Sequence, residues 1–303
     1  MNTSEKVKLI LKNYESDNTN TLENLNRIFM TGNLSGTGKL VILPVDQGFE
    51  HGPDRSFAIN PDAYDPHYHF NLAIDAGMSA FAAPLGMLEA GVETFKDTVP
   101  LILKCNSANS LTKVKDQAIT GSVKEALRLK CSAVGFTIYP GSEKSYDMME
   151  EAKNLFEEAK DAGLVTVLWS YPRGEISKKG ETAINIVSYA AHIAALCGAH
   201  IIKVKLPSSH IEEDSTYDSF VKNNISIKDL SDRVSHIVKS CFNGRRVVVF
   251  SGGEAKNDKE LINEIRAIKE GGGYGSIIGR NSFQRPKEDA LKLLKEIMEI
   301  YKY

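Results

Sequence analysis

Two lysines set two residues apart, inside a run that otherwise reads as a buried strand, are the chain's strongest chemical signal. The run is His-Ile-Ile-Lys-Val-Lys-Leu-Pro, residues 200–207. Side chains alternate across a strand, so Ile202, Val204 and Leu206 share one face while Lys203 and Lys205 share the other. The run holds no acidic residue to pair with them. An ammonium taken out of water without a partner is costly, so such a lysine tends to lose its proton and act as a nucleophile. A cationic neighbour favours the same outcome, which casts Lys205 as the group that keeps Lys203 partly unprotonated. The competing reading is a surface edge strand with two solvated lysines.

Four other stretches carry groups suited to chemistry. Trp169-Ser170-Tyr171-Pro172-Arg173-Gly174 places an indole, a phenol and a guanidinium at alternate positions, hence on one face if the chain stays extended. Those groups offer stacking, proton transfer and anion binding. Val45-Asp46-Gln47-Gly48-Phe49-Glu50-His51-Gly52-Pro53 puts a carboxylate directly after an apolar run, although Asp and Gly are also ordinary turn residues. Ser251-Gly252-Gly253 and Gly279-Arg280 each follow an apolar run. Their glycines can turn backbone N–H groups toward an anion, and Arg280 adds a charged fork. His67 and His69 form a His-x-His that lacks a third ligand at evident spacing, and they read as a surface pair with no metal. The glycines at 271–273 and 275 follow a helical pattern and read as its stop.

Something must bring these stretches together, and the apolar pattern says what. Strands are expected at Leu40–Asp46, Ala80–Ala83, Leu101–Cys105, Ala133–Ile138, Val165–Ser170, His200–Leu206, Arg246–Ser251 and Ser276–Gly279. Helical patterns follow them at Tyr64–Ala76, Leu85–Phe95, Gln117–Lys130, Glu143–Ala162, Thr182–Cys197, Ile227–Cys241, Asp258–Glu270 and Pro286–Tyr301. Strands alternating with helices imply a parallel sheet, and eight such units favour an α/β fold closed as a (β/α)8 TIM barrel. An open doubly wound sheet is the main competitor, but no Gly-x-Gly-x-x-Gly opens a helix after the first strand. In a barrel, function gathers at the C-terminal ends of the strands, where the lysine run and the four stretches named after it fall. Residues 1–38 read as an N-terminal extension with a short helix at Leu22–Phe29, and 39–303 as the barrel catalytic domain. Residues 208–224 are polar and too long for an ordinary connection, so they read as an insertion, a lid or an oligomer contact.

Bulk properties narrow the function. The chain has 303 residues, a formal net charge of −2 and 25% charged residues, so nothing in its balance points to nucleic acid or a membrane surface. Its polar N-terminus lacks the apolar core of a signal peptide, and no apolar run reaches the length of a membrane span. Four scattered cysteines, 105, 131, 197 and 241, include no Cys-x-x-Cys pair and read as buried reduced thiols of a cytoplasmic protein.

Taken in order, Val45-Asp46-Gln47-Gly48 with His51-Gly52-Pro53, Trp169-Ser170-Tyr171-Pro172-Arg173-Gly174, Ile202-Lys203-Val204-Lys205, Ser251-Gly252-Gly253 and Ile278-Gly279-Arg280 resemble the motifs of the archaeal-type class I fructose-1,6-bisphosphate aldolases. The resemblance runs from Asp46 to Arg280. It implies a Schiff-base lyase that needs no cofactor and no metal, acts on a small phosphosugar in glycolysis or gluconeogenesis and assembles as a homo-oligomer. It aligns Lys203 with the imine-forming lysine and Tyr171 with the proton donor and acceptor. Asp46 and Trp169 line the substrate site, with Arg173 near the distal phosphate and Ser251, Gly252, Gly253, Gly279 and Arg280 forming the phosphate cradle. His51 and Lys205, within the same motifs, join the substrate-binding set. Where the family usually reads Asp-His-Gly, this chain has Gln47 between Asp46 and Gly48. Three other readings stand beside this one: a related Schiff-base aldolase or transaldolase on another phosphosugar, a non-catalytic phosphosugar-binding barrel, and a metal-dependent or purely acid-base barrel enzyme such as a phosphosugar isomerase.

Overall fold

The computed structural model describes residues 3–251 and 257–303. Eight parallel strands close on themselves: β1 Leu40–Pro44, β2 Ala80–Pro84, β3 Leu101–Lys104, β4 Ala133–Ile138, β5 Val165–Ser170, β6 Ile201–Lys205, β7 Val247–Ser251 and β8 Gly275–Ile277. Each pairs with its sequence neighbours, and β8 pairs with β1 to complete the ring. The expected (β/α)8 barrel is therefore the observed architecture, with each strand within two residues of its expected place. Covering helices include Pro66–Asp75, Ser145–Asp161, Ile184–Leu196, Leu230–Ser240, Asp258–Glu270 and Lys287–Lys302.

Alternation along the strands sorts side chains into two cores. One face packs under the helices and includes Val134, Phe136, Leu168, Ile202, Val204, Val248 and Phe250. The other fills the barrel lumen with Leu40, Ile42, Ala80, Ile102, Ala133, Val165, Val167, Trp169, Ile201, Val247, Val249 and Ile277. Ile202 and Val204 face the helices, so Lys203 faces the lumen, and the solvated edge-strand reading falls away.

The N-terminal segment belongs to the lumen. Two helices, Glu5–Leu11 and Thr19–Phe29, contribute Val7, Ile10, Leu25, Ile28 and Phe29 to the same apolar cluster as the lumen residues. Between the helices, the buried Tyr14 hydroxyl donates to the His200 carbonyl at 2.7 Å and accepts from the Val247 N–H at 3.0 Å. Asp17 reaches the ring of His200, whose Nε2 lies 3.1 Å from Asp17 Oδ1, while Nδ1 accepts the Thr166 N–H at 2.8 Å. The segment thus closes the end of the barrel where strands begin and leaves the other end open.

Two expected helices differ. The pattern at Leu85–Phe95 yields only Leu85–Glu89, and that at Gln117–Lys130 only Val123–Arg128, capped by Ser122 and Glu125 in a capping box. Residues before that cap belong to a two-stranded ribbon, Asn106–Ser107 with Ala118–Ile119, at the mouth beyond β3. Apolar spacing alone does not register a cap or a ribbon. Residues 208–224 contain a further helix, Asp214–Lys222, largely exposed and held by Phe220 against the His236 ring. The glycine cluster does end its helix, with Gly271 at the C-cap.

Replacing Tyr14 by Phe leaves the buried His200 carbonyl and Val247 N–H with only their longer bond to each other, at 3.3 Å. We expect a loss of on the order of 1–2 kcal/mol in denaturant unfolding, with the chemistry at the opposite end unchanged. A variant as stable as the wild type contradicts the structural role given to this segment.

Candidate active site

Lys203 is only 6% exposed, although it lies two residues before the end of β6. Register sets it beside Trp169 of β5 and Val249 of β7. Its Nζ lies 5.6 Å from the ring centroid of Trp169 and 5.6 Å from that of Tyr171. It makes no hydrogen bond to any described residue. Burial pushes its amine down to about 8; the carboxylates of Asp46 and Glu50 oppose the shift, and Lys104 and Arg280 add to it. Lys205 plays no part in that balance. Its Nζ is 2.7 Å from Glu181 Oε2, which neutralises it, and this replaces the expectation that Lys205 tunes Lys203.

The cations that do act on Lys203 are Arg280 and the buried Lys104, at the end of β3. Lys104 is 3% exposed, and burial pushes its amine too down to about 8. Its Nζ lies 5.7 Å from the Trp169 ring, so the indole lies within reach of both amines. Gly135 of β4 makes room for that ring: a Cβ there would fall 2.3 Å from Trp169 Cζ3. Trp169 is 1% exposed, and its indole N–H has no acceptor among the described residues. Lys104 went unremarked in the sequence although it carries the same signal as Lys203, a lysine inside an apolar strand. Its single occurrence at the strand's last position reads as an ordinary exit to solvent.

A cleft open to solvent lies beside these groups, lined by Asp46, Glu50, Lys104, Thr137, Tyr139 and Tyr171 among others. Asp46 caps the short helix Gln47–His51 without a side-chain hydrogen bond, leaving its carboxylate to the cavity. Tyr171 is partly buried, and burial with the carboxylates of Asp46 and Glu50 holds its hydroxyl far above the ordinary phenol range. It is a phenol, not a phenolate, in the free site.

Arg173 is held at the rim. Its Nη1 donates to Glu50 Oε1 at 3.0 Å and to the Tyr139 hydroxyl at 3.0 Å, and the guanidinium stacks 4.8 Å from the Tyr139 ring centroid. Gln117 Nε2 also donates to that hydroxyl, at 2.6 Å. Burial alone would raise the Glu50 carboxyl, but Arg173, His51 and Lys203 outweigh it and hold it below its usual range. Glu50 and Tyr139 were not singled out in sequence. Glu50 sits in a turn where an acidic residue is unremarkable, and Tyr139 is brought in only by β4.

The remaining expected residues reach the same end of the barrel. Trp169, Tyr171 and Arg173 converge as alternation predicts, with Arg173 5.8 Å from the Tyr171 ring centroid. His51 is partly buried, 3.8 Å from Glu50, with its imidazole pushed down by burial against the Glu50 charge and further by Arg280, Arg55 and Arg173. Ser251 ends β7, and Gly279 packs so tightly that a Cβ would fall 2.8 Å from the Pro44 carbonyl and 3.2 Å from Gln47 Nε2. Arg280 opens the short helix Arg280–Phe283. Gly252 and Gly253 lie outside the described residues. His67 and His69 belong elsewhere. Nε2 of each ring bonds a carbonyl, of Ala90 and Ala63 respectively, and His69 is fully buried, which corrects the expected surface pair. Among the described residues no three His, Cys, Asp or Glu side chains cluster as metal ligands.

Comparison with known proteins places this geometry. A family profile described as DeoC/LacD family aldolase matches residues 40–285. The probable fructose-bisphosphate aldolase class 1 of Chlamydia trachomatis is 35% identical over 300 residues, 95% of this chain and 86% of the relative. The fructose-bisphosphate aldolase class 1 of Thermoproteus tenax is 36% identical over 265 residues, 87% of this chain and 89% of the relative. A crystal structure of an archaeal fructose-1,6-bisphosphate aldolase, its catalytic Lys covalently bound to the carbinolamine intermediate of the substrate, superposes with a TM-score of 0.77 at 34% identity. The match covers 94% of this chain and all of that one.

The amine of Lys203 is expected to become reactive well below the ordinary lysine range. Its protonation is depressed from 10.5 to about 8, so the neutral amine gains ground as pH rises and predominates above about 8. Borohydride trapping of a ketose phosphate should rise with pH, with its midpoint near there. A midpoint close to 10.5, the value for a solvated lysine, contradicts the burial argument.

Proposed function

The chain belongs to the DeoC/LacD family of aldolases, and from that footing we propose that it is a class I fructose-bisphosphate aldolase working through an imine on Lys203. The observation that carries the reading is one buried amine, without a hydrogen bond among the described residues, held at the barrel mouth between an indole and a phenol. Its substrate is fructose 1,6-bisphosphate, cleaved reversibly to dihydroxyacetone phosphate and glyceraldehyde 3-phosphate.

The neutral Lys203 amine adds to the C2 ketone to give a carbinolamine, and loss of water gives a protonated imine that serves as the electron sink. Asp46, on the cavity wall and making no side-chain bond to the helix it caps, takes the C4 hydroxyl proton. The C3–C4 bond breaks, glyceraldehyde 3-phosphate leaves, and the bonding pair passes to C3 as an enamine. Tyr171 then protonates C3. The expectation that Tyr171 itself removes the C4 proton is revised here, because its surroundings keep the hydroxyl protonated. The proton on Asp46 restores the phenol, and water hydrolyses the imine to release dihydroxyacetone phosphate.

Phosphate groups far from the breaking bond supply positioning. Arg280 with the Gly279 turn takes one of them, together with Ser251 and the Gly252-Gly253 pair. Arg173 and His51 receive the other, Arg173 partly releasing Glu50 to do so. Trp169 forms the platform beneath the carbon chain. Lys205, neutralised by Glu181, borders the site without contributing charge. The barrel catalytic domain spans 39–303, with 1–38 as its N-terminal extension. The enzyme works in the cytoplasm as a homo-oligomer on small phosphosugars, apart from nucleic acid and membranes. Its formal net charge of −2 and the exposed Tyr189, Leu196, Tyr217 and Val221 support that setting. Native mass measurement should give a multiple of the chain mass, and a monomer at working concentration contradicts it.

Tyr171→Phe separates the steps. Imine trapping on Lys203 should persist, while cleavage of fructose 1,6-bisphosphate falls by about 10²–10⁴-fold, the usual worth of a positioned acid or base. Cleavage at the wild-type rate removes Tyr171 from the mechanism. Lys203→Met should abolish both cleavage and trapping, and activity surviving in Lys203→Met overturns the function.

A further inference from the structure

His200 takes no part in the chemistry, yet its side chain is almost fully buried, at 1% exposure. It stands just before β6, at the closed end of the lumen. Residues 12–18 cross there from one N-terminal helix to the other. This crossing is a strap tied down along its length. The Asn13 carbonyl accepts Arg246 Nη1 at 3.0 Å, the Tyr14 hydroxyl bridges the His200 carbonyl and the Val247 N–H, and Asn18 Nδ2 donates to the Lys160 carbonyl at 2.6 Å. Asp17 covers the imidazole. Nε2 lies 3.1 Å from Asp17 Oδ1, without the alignment of a hydrogen bond.

The other ring nitrogen fixes the protonation state. Nδ1 accepts the Thr166 N–H at 2.8 Å, and a backbone N–H can only donate. The closed strap therefore holds a neutral ring with its proton on Nε2. A second proton would sit on Nδ1. It could turn to Thr166 Oγ1, 2.7 Å away, but the buried Thr166 N–H would then lose its acceptor. The charges around the ring divide. Asp17 on the strap favours an imidazolium, while Lys160 of helix Ser145–Asp161 and Arg246 before β7 oppose it. Burial, the largest influence, also opposes it, so the imidazole is held below its ordinary range.

We infer that residues 12–18 form an acid-released latch: a second proton on His200 is accommodated by lifting the strap from the ring, so falling pH opens the closed end of the barrel locally. The opening stays local because Val7, Ile10, Leu25, Ile28 and Phe29 are each at most 7% exposed. Together they bury far more apolar surface than one proton can offset, so the two helices remain docked. The sign follows from linkage. Under the closed strap the ring binds a proton less readily than in water, and a lifted strap returns it to its ordinary 6.5. The closed state keeps its full advantage above 6.5. Below that, the open population grows by up to about tenfold per pH unit.

Hydrogen exchange tests the latch on the whole chain without substrate, so its outcome is separate from the imine reading. Peptides covering 12–18 and Val247 are followed from about pH 5 to pH 8 and corrected for the intrinsic exchange rate at each pH. In the wild type, opening should be flat in the upper part of the range and rise in the lower part, while the β4 peptide Ala133–Ile138 stays protected throughout. His200→Gln keeps an acceptor for Thr166 and a donor toward Asp17 but does not titrate, so its opening should be flat across the range. Asp17→Asn removes the one charge that favours the imidazolium under the closed strap. Its acid rise, relative to its own value at the upper limit, should be at least as large as that of the wild type. Flat exchange in the wild type, an undiminished acid rise in His200→Gln, a smaller rise in Asp17→Asn, or parallel loss of protection in β4 overturns the latch.

Discussion

Everything at the open end of this barrel depends on keeping one lysine out of water. A solvated Lys203 would be an ammonium at neutral pH and inert toward a ketone. Desolvation raises the cost of that charge, and the lumen supplies it through Trp169 on one side and Tyr171 on the other. The rest of the fold can be read as the means of holding that environment. Gly135 leaves space for the indole, the β5–β6 register sets Trp169 beside Lys203, and the N-terminal helices seal the far end of the lumen with Val7, Leu25, Ile28 and Phe29. A lysine in a leaky barrel would find water and regain its proton.

Burial alone would leave the site too costly to fold, and its charges are arranged to limit that cost. Asp46 and Glu50 face the two buried amines, and Glu50 is itself held by Arg173. Arg173 is shared with Tyr139, so the rim is a connected network of acceptors and donors. A phosphate arriving there meets a guanidinium already oriented and partly neutralised, and it must compete with Glu50 for it. That competition favours a dianionic group over a weaker anion. Lys205 shows the opposite arrangement. Glu181 pairs with it at 2.7 Å, and it is not among the groups that shift Lys203.

The barrel was legible because its pattern is regular. Short apolar strands and longer helices repeat, and alternation within His200–Leu206 placed Lys203 in the lumen. The convergence of Trp169, Tyr171 and Arg173 followed from the same period of two. What escaped was information carried by contacts between distant segments. Lys205 and Lys203 look equivalent in sequence, and only Glu181, more than twenty residues earlier, distinguishes them. Lys104 sits at a strand end where lysines usually leave for solvent, and it is kept in by Asn106 and the ribbon that follows. The two helices and ribbon that differ from the apolar pattern were decided by a capping box and by pairing across a loop. Tyr14 gave no sign in sequence that it would bond β6 and β7.

The most direct test of the account is the site of covalent attachment. Reduction of the protein with borohydride in the presence of dihydroxyacetone phosphate, followed by digestion and mass spectrometry, should put the whole adduct on the peptide carrying Lys203. An adduct on Lys104 or Lys205, or no adduct at all, contradicts the claim that burial at the end of β6 makes Lys203 the nucleophile.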